Sequence, residues 1–532
     1  MRVSGHFKLF LVRNPALIGS MVANNCDLKA MSKYRIRTVR TASGARAVQV
    51  VCYENNTRRI AKHIGSAKND DELEILRSSA KHYISEHEPQ LALFQQPVSQ
   101  VVAFDQIEVT SVTHQFARDQ LVALAKQCGL GVLDSLYLDL AIIRIIEPCS
   151  KHRSLELLKR YFGVSYSQYI YARLPQLLDE RERIEKAAIT TAKSFQDKFA
   201  LLLYDVTTLY FETHKPDDDL QARGFSKDDK SKQPQVVVGL LVTAQGFPLI
   251  HEVFKGNTFE GHTMLAVLKK FQEQHKTEKP IIVADAAMLS KINCSVLEDE
   301  GYHYIVGARL ANAKPAFMQL ICHQLPREDG AMTRLSHPEG DYDIVCTYSQ
   351  ARYKKDKREL DKQIEKAKLL VARQEAGRRA KFVKKSKQAN KPYLFDEALK
   401  QKTEQLLGIK GYCTNIPTEV LSNEQIVQHY HDLWRVEQTF RISKSDLKTR
   451  PIFHYTHDAI RAHLLICFMA LMIGKMIEIK TGRSLRYVRD LLWQVQEVHL
   501  RDPSSHKERI ARSPMPSELP EILKSLNLKI PH

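Results

Sequence analysis

Apolar and polar positions change period along the chain, and each period predicts a different element. From Arg35 to Gly65 they alternate, with turns at Ser43-Gly44 and Asn55-Asn56. That pattern predicts a small β-unit, followed by a helix from Asp70 to His87. From Asp105 to Lys198 the apolar residues fall at helical spacing, as in Leu121-Val-Ala-Leu124 and Leu136 to Ile146, with breaks at Pro148 and Pro175. This predicts a helical arm. Leu201 to Ala308 reads as strand (Leu201 onward), strand (Gln235–Thr243), strand (Pro248–Phe254), helix (Glu260–His275), strand (Ile281–Asp285), helix and strand (Tyr302–Gly307). Several of these strands are almost wholly apolar, as strands buried on both faces are. Ala459 to Val498 is helical and apolar on at least one face, and the tail after Arg501-Asp-Pro is Ser-, Pro- and Lys-rich, predicting loose packing.

Three carboxylates interrupt this pattern. Asp205 stands inside the apolar run Leu201-Leu-Leu-Tyr-Asp-Val, and Asp285 closes Pro280-Ile-Ile-Val-Ala-Asp. Ser290, just beyond, is the expected N-cap of a helix from Lys291 to Glu300. The third is Glu437, in Tyr430-His-Asp-Leu-Trp-Arg-Val-Glu-Gln-Thr-Phe-Arg-Ile-Ser-Lys444. This stretch lacks Pro and Gly and reads as one helix, with Tyr430, Leu433, Glu437, Phe440, Lys444 and Leu447 on one core-facing stripe. A buried carboxylate costs several kcal/mol unless it is paired or binds a metal. Two strand-borne Asp and a helix-borne Glu make an oxygen-only donor set, the kind that suits Mg²⁺ or Mn²⁺ and two-metal phosphodiester chemistry.

Charge narrows the partner. The 532 residues carry a formal +18, which favours a polyanion, nucleic acid before membrane. Arg352 to Lys400 holds 17 Lys and Arg against 7 Asp and Glu, a net +10 in a tenth of the chain. Such a run is a solvated face or, beside a nuclease-like site, a surface for phosphates. It includes Lys354-Lys-Asp-Lys-Arg358 and the cluster Lys384, Lys385 and Lys387. Nine scattered cysteines without a CxxC pair argue for a reducing cytoplasm and against a disulfide framework or zinc site. The longest apolar run, Leu464 to Gly474, falls short of the ~20 residues of a membrane span and reads as a core helix.

Asp…Asp…Glu, with Tyr430, Glu437 and Lys444 at the spacing Tyr-x2-Arg-x3-Glu-x6-Lys, resembles the signature of bacterial insertion-sequence DDE transposases of the Tyr-Arg-Glu-Lys branch. The chain departs at the Arg, where it has Leu433, with Arg435 and Arg441 nearby. Gly224-Phe-Ser-Lys-Asp228, Pro234 to Val242, Phe254-Lys-Gly-Asn-Thr258, and Arg450-Pro-Ile-Phe-His454 before Ala462-His463 are similar to that branch too. The resemblance runs from about Tyr34 to Lys480.

The resemblance implies an α/β fold: a ribonuclease-H-like catalytic core with a long basic insertion, an N-terminal β/helical region and a helical C-terminal region. The expected division is 1–30 a non-native extension, 31–104 a β-plus-helix unit for DNA ends, and 105–200 the helical arm. The core is 201–309 and 411–480, the insertion 310–410, and the C-terminal helix and tail 481–532. The implied activity is metal-dependent strand cleavage at the ends of a mobile element and strand transfer into target DNA. Asp205, Asp285 and Glu437 hold two Mg²⁺ or Mn²⁺ ions, and Tyr430, Arg435, Arg441 and Lys444 contact DNA with Lys384, Lys385 and Lys387. The implied partners are double-stranded DNA, as terminal inverted repeats and target, and a second copy of the chain on paired ends. The implied location is the bacterial cytoplasm at the nucleoid, with no membrane. A metal-dependent nuclease on the same fold and a decayed DNA-binding relic are the alternatives; a carboxylate-pair glycosidase leaves the basic run unexplained. Trp434 reads as a core residue.

Overall fold

The computed structural model describes residues 34–42, 44–54, 57–87, 107–196, 198–212, 219–224, 233–275, 279–288, 290–373, 380–385, 393–503 and 507–530. The chain divides into two units, one of residues 1–108 with 501–508 and one of 109–500 with 509–532. The first contains three antiparallel strands in sequence order, Tyr34–Arg40, Arg46–Glu54 and Thr57–Ala67, and the helix Asp70–His87. Alternation drives this fold: Val48, Val50 and Ala67 meet Leu73 and Ala80 in a separate small core. The expected 1–30 extension, Ser43 and the Asn55-Asn56 turn lie outside the described residues.

The second unit is built on a mixed eight-stranded sheet. Its strands are β1 (Leu201–Tyr210), β2 (Gln235–Thr243), β3 (Pro248–Lys255), β4 (Ile281–Ala284), β5 (Tyr304–Ala308), β6 (Met332–Ser336), β7 (Asp343–Tyr348) and β8 (Ile409–Thr414). The spatial order is β6-β7-β8-β5-β4-β1-β2-β3. Pairing is parallel between β1 and β4 and between β4 and β5, and antiparallel elsewhere. The parallel pairs are joined through the helices Met264–Gln274 and Lys291–Asp299, as parallel neighbours require. Ser290 caps the second of these, accepting from Asn293 N. The uninterrupted apolar runs of β1 and β2 are buried almost throughout, as strands covered on both faces must be.

Four further helices bear on the site: α1 (Gln350–Ala372), α2 (Asn423–His431), α3 (Trp434–Arg441) and α4 (His457–Thr481). By length and composition α4 is apolar enough to cross a membrane, yet 89% of its most apolar stretch is buried in this fold. It packs on helix Ser135–Ile146 and on β3.

The fold departs from the sequence expectations in three places. The stretch from Tyr430 to Lys444 is not one helix: α2 ends at His431, α3 begins at Trp434, and a π-helical turn follows at Ile442–Asp446. Tyr430, Leu433, Phe440 and Leu447 of the expected stripe are buried, but Val436 and Thr439 take the other inward positions, Glu437 is exposed and Lys444 half-buried. Strands β6 and β7 fall within the segment expected as insertion, yet extend the sheet by antiparallel pairing on β8, with Ile344 and Cys346 buried in the core on one face and Val345 in the core on the other. The tail is packed as well. Leu519, Leu523 and Leu526 are fully buried in the main core, and Gln127 Nε2 donates to Leu526 O at 3.1 Å.

Candidate active site

Asp205 and Asp285 come together through strand register. Tyr204 on β1 pairs with Ala284 on β4, so the two carboxylates occupy the next rung of adjacent parallel strands. Neighbouring strands lie ~4.8 Å apart, and residues level with each other point to the same face. Both are half-buried. Asp285 Oδ1 accepts from Ala286 N at 2.7 Å and from the Tyr430 hydroxyl at 3.3 Å. Burial, and then the charge of Asp285, push the Tyr430 phenol up from its usual range, with Asp205 adding to the effect. Tyr430 is therefore a neutral donor facing both aspartates.

Two helices bring the third carboxylate. Helix α2 packs across β5 and β8, and α3 lies against β1 and β2. α3 is pinned by Thr439, whose Oγ1 donates to Gly246 O and to Arg435 O, at 2.9 Å each. Glu437 sits at the start of α3 with its side chain in solvent. Lys410 on β8 lies within range of the charges of both Glu437 and Asp285. Lys410 Nζ lies 4.4 Å from the centre of the Tyr430 ring and 5.3 Å from that of Tyr412. Burial is the main cause that lowers the Lys410 pKa, with Arg352 in the same sense, while Asp285 and Glu437 oppose it.

The other expected contacts are spread more widely. Lys444 is half-buried in the π-helical turn, a local widening that often marks functional positions. Leu433, at the place of the motif Arg, is 7% exposed. Of its nearby cations, Arg441 is exposed. Arg435 lies 5.2 Å over the Trp434 ring, with Nε 3.6 Å from Asp432 Oδ1. Trp434 is 50% exposed and is not the core residue expected; it stands one position from the buried Leu433, on the outward side of α3 with Glu437. Lys384 and Lys385 are exposed on a short strand paired with Tyr393–Phe395, and Lys387 lies outside the described residues. Sequence reasoning missed Lys410 and Gly307. A lone Lys in the run Ile409-Lys-Gly-Tyr-Cys was the available signal for the first.

The donor chemistry fits a hard divalent cation: one carboxylate in the middle of β1, one just beyond the end of β4 and a third on the covering helix, all oxygen. Among the described residues, however, no three His, Cys, Asp or Glu side chains are grouped closely enough to hold one ion together. The fit is thus carried by the Asp205–Asp285 pair, with Glu437 at the periphery.

A family model described as the transposase DDE domain matches residues 198–473, from just before β1 into α4. No curated protein matches the chain. Among solved structures, a cryo-EM structure of the piggyBac transposase synaptic complex with hairpin DNA is similar at 10% identity and a TM-score of 0.35, over 71% of this chain and 78% of that one. The family match spans more than half of the 532 residues and takes in all three acidic positions, and the chain belongs to the family of transposase DDE domains.

Proposed function

We propose that this chain is a transposase that cuts DNA at the ends of a mobile element and joins those ends to target DNA. The observation that carries the reading is the register of β1 on β4, Tyr204 opposite Ala284, which makes Asp205 and Asp285 the next residue of each chain segment, within the stretch matched by the family model. Asp205, Asp285 and Glu437 are the residues that would hold Mg²⁺ or Mn²⁺. When bound, two such ions supply activation of the attacking oxygen and stabilisation of the leaving 3′-oxygen. Tyr430 orients the Asp285 carboxylate through its hydroxyl. Lys444 and Arg435 contact phosphates that flank the reacting one, and the exposed Lys384 and Lys385, with Lys387, add sequence-independent attraction to DNA. The order β1-β2-β3-helix-β4-helix-β5 supports a ribonuclease-H-like core for this site. In this reading the element is a bacterial insertion sequence of the Tyr-Arg-Glu-Lys branch, acting as a homodimer on paired ends at the nucleoid.

The test uses the full chain and a supercoiled plasmid carrying the element's ends, in Mg²⁺ or Mn²⁺. Asp205→Asn, Asp285→Asn and Glu437→Gln are each expected to abolish strand cleavage and leave end-DNA affinity within about twofold, since removing a negative charge does not weaken attraction to phosphates. A Glu437→Gln protein that cuts at the wild-type rate would remove Glu437 from the site. Cleavage by the wild type without joining of ends would favour the nuclease reading.

A further inference from the structure

A cavity of about 560 Å³ opens among β8, the segment Arg309–Asn312 and the N-terminal half of α1. Five cations line it: Arg309, Arg352, Lys381, Lys402 and Lys410. Its acidic lining residues are Asp356 and Glu359. Asp356 is already engaged, with Oδ2 3.4 Å from Arg352 Nε and accepting from Gly408 N at 3.3 Å. A concave surface with this surplus of positive charge concentrates anions. The cavity is also joined to the carboxylate site by a shared residue. Lys410 lines it, and the same ammonium rests against the rings of Tyr412 and of Tyr430, whose hydroxyl donates to Asp285. Contact with two aromatic faces fixes a cation in place. Leu433, buried on the neighbouring helix segment, brings no charge here; the strand β8 does.

We infer that this cavity takes the phosphodiester backbone of one DNA strand as it leaves the carboxylate site, and that Lys410 holds the phosphate at the junction between the two. The volume is that of a small-ligand pocket, enough for a nucleotide or two and too small for a duplex. The inference rests on the transposase reading for the identity of the neighbouring site; its binding component stands separately.

The experiment measures binding of the full chain to a fluorescein-labelled oligothymidine by anisotropy in EDTA, across a salt series. Lys410→Ala and Lys402→Ala are each expected to flatten the log–log salt dependence by roughly 0.7 for every phosphate of the single strand that is no longer neutralised. Lys410→Arg is expected to keep the wild-type slope. A Lys410→Ala protein that melts with the wild type and keeps its slope overturns the inference. If Lys410→Ala does not fold, Lys402→Ala and Lys381→Ala decide the matter, and unchanged slopes in both overturn it. Nicking by the wild type of a supercoiled plasmid carrying the element's ends, in Mn²⁺, is scored in parallel. A chain that does not nick but has a flatter slope in Lys410→Ala retains the strand-binding cavity and removes the transposase reading.

Discussion

Gly307 on β5 lies directly beneath the Tyr430 hydroxyl: a Cβ at this position would stand 2.6 Å from that oxygen and 3.1 Å from the Cβ of Ala286. No side chain fits without moving Tyr430 off Asp285. Gly307→Ala is therefore expected to lower kcat for strand cleavage by on the order of tenfold to a hundredfold, the scale of a 1 Å misplacement, with little change in DNA affinity; single-turnover cleavage against anisotropy separates the two. At this scale the sequence is legible where a residue violates its surroundings. Asp205 and Asp285 are charges at buried-strand positions, and the pattern alone exposes them. Gly307 and Lys410 violate nothing locally, since a Gly or a Lys in a short strand has many ordinary uses. Their roles arise from neighbours across the sheet, Gly307 with a residue 123 positions later in the chain, and no local periodicity encodes such a meeting.

At the scale of the element, α3 is a short helix whose placement depends on a few inward groups. Thr439 is fully buried, and its hydroxyl ties α3 to the turn between β2 and β3 at Gly246 O. Gly246 has φ +82°, a left-handed conformation that glycine adopts without strain. Thr439→Val keeps the shape and removes the donor, leaving Gly246 O without that partner. The expected cost is about 1–3 kcal/mol, read as a lower melting temperature, together with slower cleavage as Glu437 loses its fixed position. Equal melting temperatures for variant and wild type would show that packing alone holds α3. The existence of a helical stretch here was legible from spacing and the absence of Pro and Gly, but its interruption was not. Asp432-Leu433 carries no breaker, and the break is imposed by packing: α2 must lie on β5 and β8 while α3 lies on β1 and β2. The strands β6 and β7 were obscured for a different reason. They precede the strongly basic run, and charge counted over a long window masks a short apolar alternation.

For the molecule as a whole, buried basic groups set the response to acid. His251 is buried against Phe468, with ring centres 4.6 Å apart, and its Nδ1 has no hydrogen-bond partner among the described residues. Burial, with help from Arg181 and Lys270 against the opposing charge of Glu252, depresses its pKa to about 3. His454 is depressed to about 4 by burial and by Lys151 and Arg144. Between pH 6.5 and these values the unfolded chain binds protons that the folded chain does not, so stability falls as pH falls through 6.5. The loss is ~1.4 kcal/mol per pH unit for each such group. Lys151, buried 3.2 Å from His463 Nδ1, is depressed to about 7 by burial and Arg144, and extends the same slope upward from pH 7 toward 10.5. The melting temperature is expected to rise steadily from about pH 5.5 to about pH 8.5, and His251→Phe is expected to flatten the acidic part of that rise; an unchanged profile in this variant would show that His251 does not contribute. The sheet on which all of this rests also determines which changes of length the protein tolerates. Asp205 and Asp285 are separated along the chain by two strands, a helix and stretches outside the described residues, yet their spacing is set by one rung of β1 and β4. Residues added to the turns between them leave the rung untouched. One residue removed inside β4 turns Asp285 to the opposite side of the sheet, so the chain can drift in length in the turns between its two aspartates but not within the paired strands, least of all in the four residues that precede the second.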